Sequence, residues 1–289
     1  MQPTRTLSPD LLPNQEKFSH PFFARHPLRL APAPLQLSTS ISKHYQFPTY
    51  YGDVTCAIGI YMCDYARAAA QMPDPSMQPV RMPMGRSVVI LSCYIYRNVM
   101  NVAPYNEVAM TIPVMVGPGS NPPVLPLIRN YDRKGYYVFN MPVTSLENQI
   151  RGVKFWGLPK VVEQIDVDFD DRQCTTTICD EQGRQYFALT VPTSGKPKTF
   201  DETGYLYSQR DGKLLKSQTN FLGDFNVNTR LGGLLRRSPS LNQTPSDSLQ
   251  LGASSRADIL RSLEIENRPF QTRFARTMNA CFDLPLGSA

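Results

Sequence analysis

The chain has 289 residues, 41% hydrophobic and 19% charged, with a formal net charge of +6. That balance can bury the core of one large domain or two small ones, which excludes a disordered chain. The charge splits evenly, +3 within residues 1–45 and +3 in the rest, with no basic stripe carrying interleaved aromatics, so no nucleic-acid partner is expected. No apolar run approaches the ~20 residues of a membrane helix, and the N-terminal segment lacks the apolar core of a signal peptide.

Residues 1–45 are proline-rich (SPD, LPN, HPL, APAPL) and aperiodic. They read as an extended N-terminal arm or as disorder. The stretch SHPFFARHPLRLAPAPLQL holds enough apolar residues to pack on a body or on a neighbouring subunit. Residues 46–289 read as a single domain. A strand-like run begins at Val54 (VTCAIGIYMC), and Asp64 is then placed as the N-cap of a short helix, YARAAAQM, that Pro73 ends. Strands follow over 87–97, 107–116 and 134–144, and GVKFWGLPKVV (152–162) reads as another. In EQIDVDFDD, Ile165, Val167 and Phe169 alternate with aspartates. CTTTIC and RQYFALTV form a hairpin around DEQG, and a second hairpin turns at Arg210-Asp211-Gly212. Residues 232–254, rich in Ser, Gly, Pro and Asn, read as a long loop. Many strands with short turns give a β-rich α+β fold, an antiparallel closed or cone-like β-barrel with a few short helices. Such a barrel can hold a small ligand.

Several chemistries are excluded by residue type. The six cysteines are scattered without a CxxC, so neither a zinc site nor a disulfide framework is indicated, and free thiols in a cytoplasmic compartment are expected. His20, His26 and His44 all lie in the first 45 residues, which leaves the body without a catalytic triad histidine or a multi-histidine metal site. Asp166-x-Asp168-x-Asp170 lacks the glycine and the glutamate of a calcium loop. GPGSNPP lacks a P-loop lysine. No metal and no organic cofactor are expected.

Lys160 stands in apolar company, between Leu158-Pro159 and Val161-Val162. A buried lysine loses solvation when charged, so its pKa falls. The neutral amine can attack a ketone or aldehyde, and the resulting protonated imine withdraws electrons from the adjacent carbon. Residue type alone does not choose this role, because most lysines beside a proline turn are exposed.

The succession PYNEVAMTIPV (104–114) and RGVKFWGLPK (151–160) resembles the acetoacetate decarboxylase superfamily. In that family a Glu follows a Pro-Tyr-like pair, and a Gly-Arg-Glu-x-x-Gly-Tyr-Pro-Lys-Lys stretch further on carries the Schiff-base lysine. The resemblance places that lysine at Lys160 and that glutamate at Glu107. DYARAAAQMP is similar to the family's short helix, and ILRSLEI to a segment near its end. The likeness spans roughly residues 46–285, with the arm as an addition. It implies the barrel of that family, a small-molecule oxo substrate, a homo-oligomer and no cofactor.

The departures bear on the chemistry. The family's second lysine is Val161, its Gly-Arg-Glu reads Gly152-Val153-Lys154, its substrate-binding arginine falls near Val54, and a second glutamate falls near Ser92. Plain acetoacetate decarboxylation is therefore not expected. The resemblance implies a lyase or cyclase of specialised metabolism, with Lys160 forming an imine and Glu107, with Tyr105, shuttling protons. Phe155 and Trp156, alternating along the expected strand, would put one ring against an oxo or polyketide-like substrate. Two rivals stand beside this reading. One is a barrel that folds a reactive polyene without an imine, and the other is a binding barrel in which Lys160 merely pairs with an anion.

Overall fold

A computed structural model describes residues 1–129 and 131–287. Its first long strand, β1 (Thr49–Asp64), ends where the Asp64 side chain accepts a hydrogen bond from the Arg67 amide and caps α1 (Tyr65–Ala69). Three strands follow: β2 (Arg86–Val99), β3 (Tyr105–Val116) and β4 (Lys134–Val143). Then come α2 (Leu146–Trp156) and the short β5 (Lys160–Val162). The chain continues through β6 (Gln164–Phe169), β7 (Gln173–Cys179) and β8 (Gln185–Pro192). A long hairpin, β9 (Lys196–Arg210) and β10 (Lys213–Thr229), precedes β11 (Leu249–Leu251) and β12 (Gln271–Pro285).

Seven of these strands close a barrel in the order β1-β2-β3-β4-β9-β10-β12 and back to β1. Six of its seams are antiparallel, and the seventh, β4 to β9, is parallel. That seventh seam is paired only at Leu206–Tyr136 and Tyr207–Tyr137. Further along β4, the parallel β5 takes over the edge, with Lys160 beside Met141. The expected closed, β-rich barrel with few short helices is thus the fold observed, with one parallel seam where β5 and α2 are inserted.

Alternation along the strands sorts the core. Val89, Leu91 and Cys93 of β2 turn outward, with Val108 and Met110 of β3. They pack under a four-stranded sheet, β6-β7-β8-β11, that supplies Ile165, Cys174, Ile178 and Phe187. The intervening residues of β2 and β3 face the barrel interior. Both faces are covered, which is why these strands read as nearly continuous apolar runs.

Residues 1–45 lie along the barrel. Phe18, Phe22 and Phe23 are buried against Tyr50, Met100 and Cys281. Asn14 donates to the Val99 carbonyl at 2.8 Å and accepts from the Asn101 amide at 2.9 Å. Within the expected 232–254 loop, Leu249–Leu251 instead adds an edge strand to the outer sheet.

Candidate active site

The segment expected as a strand over 152–162 is helical as far as Trp156. Ser145 caps α2 by accepting from the Asn148 amide at 3.3 Å. Gly157, at φ +61°, leaves the helix in the left-handed region that favours glycine. The physical reason for the difference lies in the buried face. It carries Glu147, Asn148, Arg151 and Gly152 before it reaches Trp156, so burial does not follow the apolar spacing, and Leu146 and Ile150, which keep a helical spacing, precede the stretch expected as a strand. The strand-alternation premise for Phe155 and Trp156 therefore falls away. Trp156 stacks on Phe282 with centroids 4.8 Å apart and donates Nε1–H to the Asp283 carbonyl at 2.7 Å. Phe155 meets Phe47 edge-on at 4.9 Å. Phe155 also meets Tyr45 edge-on at 6.1 Å, so these contacts fasten α2 to β12 and to the end of the arm.

Lys160 follows directly after Pro159, at the start of β5. Its side chain runs across α2 at Gly152. A Cβ on that glycine would come within 2.6 Å of Lys160 Cε and closer still to Cδ. The lysine passes this close to the helix because position 152 has no side chain. Its Nζ lies 2.5 Å from Glu107 Oε2. The two side chains are 5% and 7% exposed, so the contact is shielded from water. Tyr96 donates its hydroxyl to the other carboxylate oxygen at 3.3 Å. The Tyr105 ring centroid lies 5.7 Å from Nζ, and Tyr94 stands directly across from Glu107 in the β2–β3 ladder.

The structure adds a cation that the sequence reading passed over. Arg151 is 1% exposed. It donates Nη1–H to Asn148 Oδ1 at 3.0 Å and Nη2–H to Thr49 Oγ1 at 2.9 Å, while its buried Nε has no partner among the described residues. Its guanidinium lies 4.5 Å over the Tyr45 ring. The helix start at Ser145 and the stop at Gly157–Pro159 were the signals that could have placed it on the same turn as Gly152.

Electrostatically, burial pushes the Lys160 amine below the ordinary lysine value of 10.5. The Glu107 carboxylate opposes that shift, and the positive charge of Arg151 reinforces it. Burial raises the phenols of Tyr94, Tyr96 and Tyr105 well above their ordinary value, which keeps them protonated. The site therefore joins a destabilised ammonium, a carboxylate in contact with it, a second cation and neutral hydroxyls.

The acetoacetate decarboxylase (ADC) family model matches residues 32–217. The chain belongs to the acetoacetate decarboxylase family. Glu107, Arg151, Gly152 and Lys160 all fall within the matched residues, and β12 falls outside them. No curated protein matches the chain. Solved structures share the fold at low identity. An acetoacetate decarboxylase from Legionella pneumophila subsp. pneumophila str. Philadelphia 1 is 15% identical, with a TM-score of 0.57 over 96% of this chain and 97% of its own. The enduracididine biosynthesis enzyme MppR complexed with pyruvate is 10% identical, with a TM-score of 0.57 over 87% and 96%. The same enzyme complexed with the condensation product of pyruvate and imidazole 4-carboxaldehyde is 9% identical, with a TM-score of 0.51 over 82% and 87%.

Proposed function

We propose that the chain is an enzyme that binds an oxo substrate in the barrel interior and activates it as an imine on Lys160. The observation that carries this reading is the buried Lys160–Glu107 contact within a family-matched barrel. A proton can pass between the two groups across that contact. When it sits on Glu107, the amine of Lys160 is neutral and free to add to the carbonyl carbon. Glu107 then protonates the departing oxygen, water leaves, and the resulting iminium accepts the electrons of a bond at the adjacent carbon. The carboxylate left on Glu107 is placed to take or return a proton there. Lyase, aldol and dehydration chemistry all pass through this state. Support for the imine over a purely shape-driven barrel comes from the polar lining. Arg151, Tyr94, Tyr96 and Tyr105 suit a carbonyl and its oxygen better than a bare polyene. MppR, whose structures hold pyruvate and a pyruvate–aldehyde condensation product, makes small oxo acids and their aldehyde adducts sensible first substrates.

The test is borohydride reduction in the presence of a panel of ketones, aldehydes and oxo acids, followed by mass mapping. The expected result is a reduced adduct on Lys160 that is absent from Lys160→Met. A substrate turned over at full rate by Lys160→Met would overturn the reading.

A further inference from the structure

Arg273 is a second cation of the barrel interior, and the chemistry at Lys160 does not use it. It lies on β12 between Ile58 of β1 and Val227 of β10. Its neighbour Phe274 faces outward and meets Phe169 of the outer sheet at 5.8 Å, so Arg273 faces inward, on the same side as buried Ala275. The guanidinium lies 4.6 Å over the Phe200 ring of β9. Its positive charge also acts on Cys56 of β1 and Tyr136 of β4. Groups from three other barrel strands thus surround it.

Its polar needs are only partly met. Nε donates to Gln271 Oε1 at 2.6 Å. Among the described residues neither Nη has a hydrogen-bond acceptor, and no carboxylate lies in ion-pair range. An inward arginine that is half-buried, unpaired and braced on an aromatic face is arranged to receive an anion. β9 is paired to β4 at Leu206 and Tyr207 only, and its earlier residues, including the buried Phe200, have no strand partner on that side among the described residues. The exposed Glu202 of β9 acts on Arg273 with its negative charge from beyond ion-pair range.

The two cationic positions belong to one interior. Glu107, Tyr94, Cys56 and Ala275 form one row across β3, β2, β1 and β12. Ala109, Ser92, Ile58 and Arg273 form the next row on the same face. Arg273 is three strands and one row from Glu107, or ~16 Å along the wall at ~4.8 Å per strand and ~7 Å per row, and less across the interior.

Resting on the imine reading above, we infer that Arg273 is the docking site for an anionic group at the far end of the substrate. The substrate class is then an oxo acid whose carboxylate lies several bonds from the carbonyl that meets Lys160. Pyruvate and acetone are too short to engage both groups.

Two measurements keep this claim separable from the imine itself. The first is equilibrium binding of adipate and pimelate, which have no ketone or aldehyde to form an imine. The expected result is saturable binding to the native protein that weakens ~10-fold or more in Arg273→Gln and persists in Lys160→Met. Absence of binding to the native protein, or equal binding to Arg273→Gln, would overturn the proposal whatever Lys160 does. The second compares borohydride trapping of 2-oxoheptanedioate with its distal methyl ester and with pyruvate. Native protein should trap the diacid at lower concentration than the ester, and Arg273→Gln should lose that preference while trapping pyruvate unchanged. A preference that survives Arg273→Gln counts against the proposal. If no carbonyl compound gives an adduct but the diacids bind through Arg273, the imine reading fails and the anion site stands.

Discussion

Arg151 holds a positive charge in the protein interior with amide and hydroxyl partners but no carboxylate in ion-pair range among the described residues. Burying a charge in that way costs several kcal/mol, so its position calls for a compensating role. The geometry offers one, since the Arg151 charge acts on Lys160 in the same direction as burial. Under the proposed imine chemistry, Arg151 would be the cationic neighbour that lowers the lysine pKa. Replacing it with an isosteric neutral residue should let the amine titrate closer to 10.5. In Arg151→Gln the rate of imine formation should therefore reach its half-maximum at higher pH than in native protein. Glu107→Gln should move the profile the other way, because it removes the group that raises the lysine, while slowing proton transfer by ~10²–10⁴-fold. The pH profile of borohydride trapping, measured on both variants, separates the two. Shifts in the same direction would contradict the assignment.

At the level of the element, α2 explains both what the sequence disclosed and what it concealed. Strands were legible where they carry two apolar faces, as in β2 and β3 of the barrel, or a strict alternation, as in Ile165, Val167 and Phe169 against the aspartates of β6 in the outer sheet. Lys160 and Glu107 stand out through their flanking motifs, and the structure brings the two side chains together. The helix was not, because its inward face is built from Glu147, Asn148, Arg151 and Gly152, while Val153 is 43% exposed. Leu146, Ile150 and Val153 do keep a helical spacing, but it lies mostly ahead of the 152–162 stretch and off the buried face. Gly152 was noted for its place in a motif, yet its function is spatial, as the floor over which the Lys160 side chain passes. Ala is a better helix former than Gly by ~1 kcal/mol, so Gly152→Ala should not weaken the helix itself. It should displace Lys160 from Glu107 and lower the imine-forming rate by ~10²-fold, the loss associated with an ångström-scale misplacement. Circular dichroism should stay near native, while the melting temperature falls, because overpacking a buried site costs ~1–3 kcal/mol. Val153→Ala, one residue on and facing outward, should change neither rate nor fold. Equal rates in native protein and Gly152→Ala would show that Lys160 has another path into the barrel.

For the whole molecule, the question is what the first 45 residues contribute. Their proline content forbids long regular elements, which the sequence shows plainly. Where such a segment docks depends on tertiary partners far along the chain, and no local pattern encodes them. The docking ends at α2. Lys43 donates to both carboxylate oxygens of Glu147 at 3.0 and 3.1 Å, and Tyr45 donates to one of them at 2.6 Å. The Lys43 and Glu147 side chains are 3% and 10% exposed. Glu147 sits one helical turn before Arg151, so the arm clamps the helix that carries Arg151 and Gly152. Removing one partner of a buried pair leaves an uncompensated charge, at a cost of ~3–5 kcal/mol. Lys43→Met should therefore destabilise the protein by about that amount in urea unfolding. The double variant Lys43→Met/Glu147→Gln removes the stranded charge and leaves Tyr45 an acceptor, so it should recover most of the loss. If the arm were only a loose appendage, Lys43→Met would unfold at the native urea midpoint and the second substitution would add nothing. A single variant as costly as the double would instead mean that Lys43 acts by filling space and not by charge.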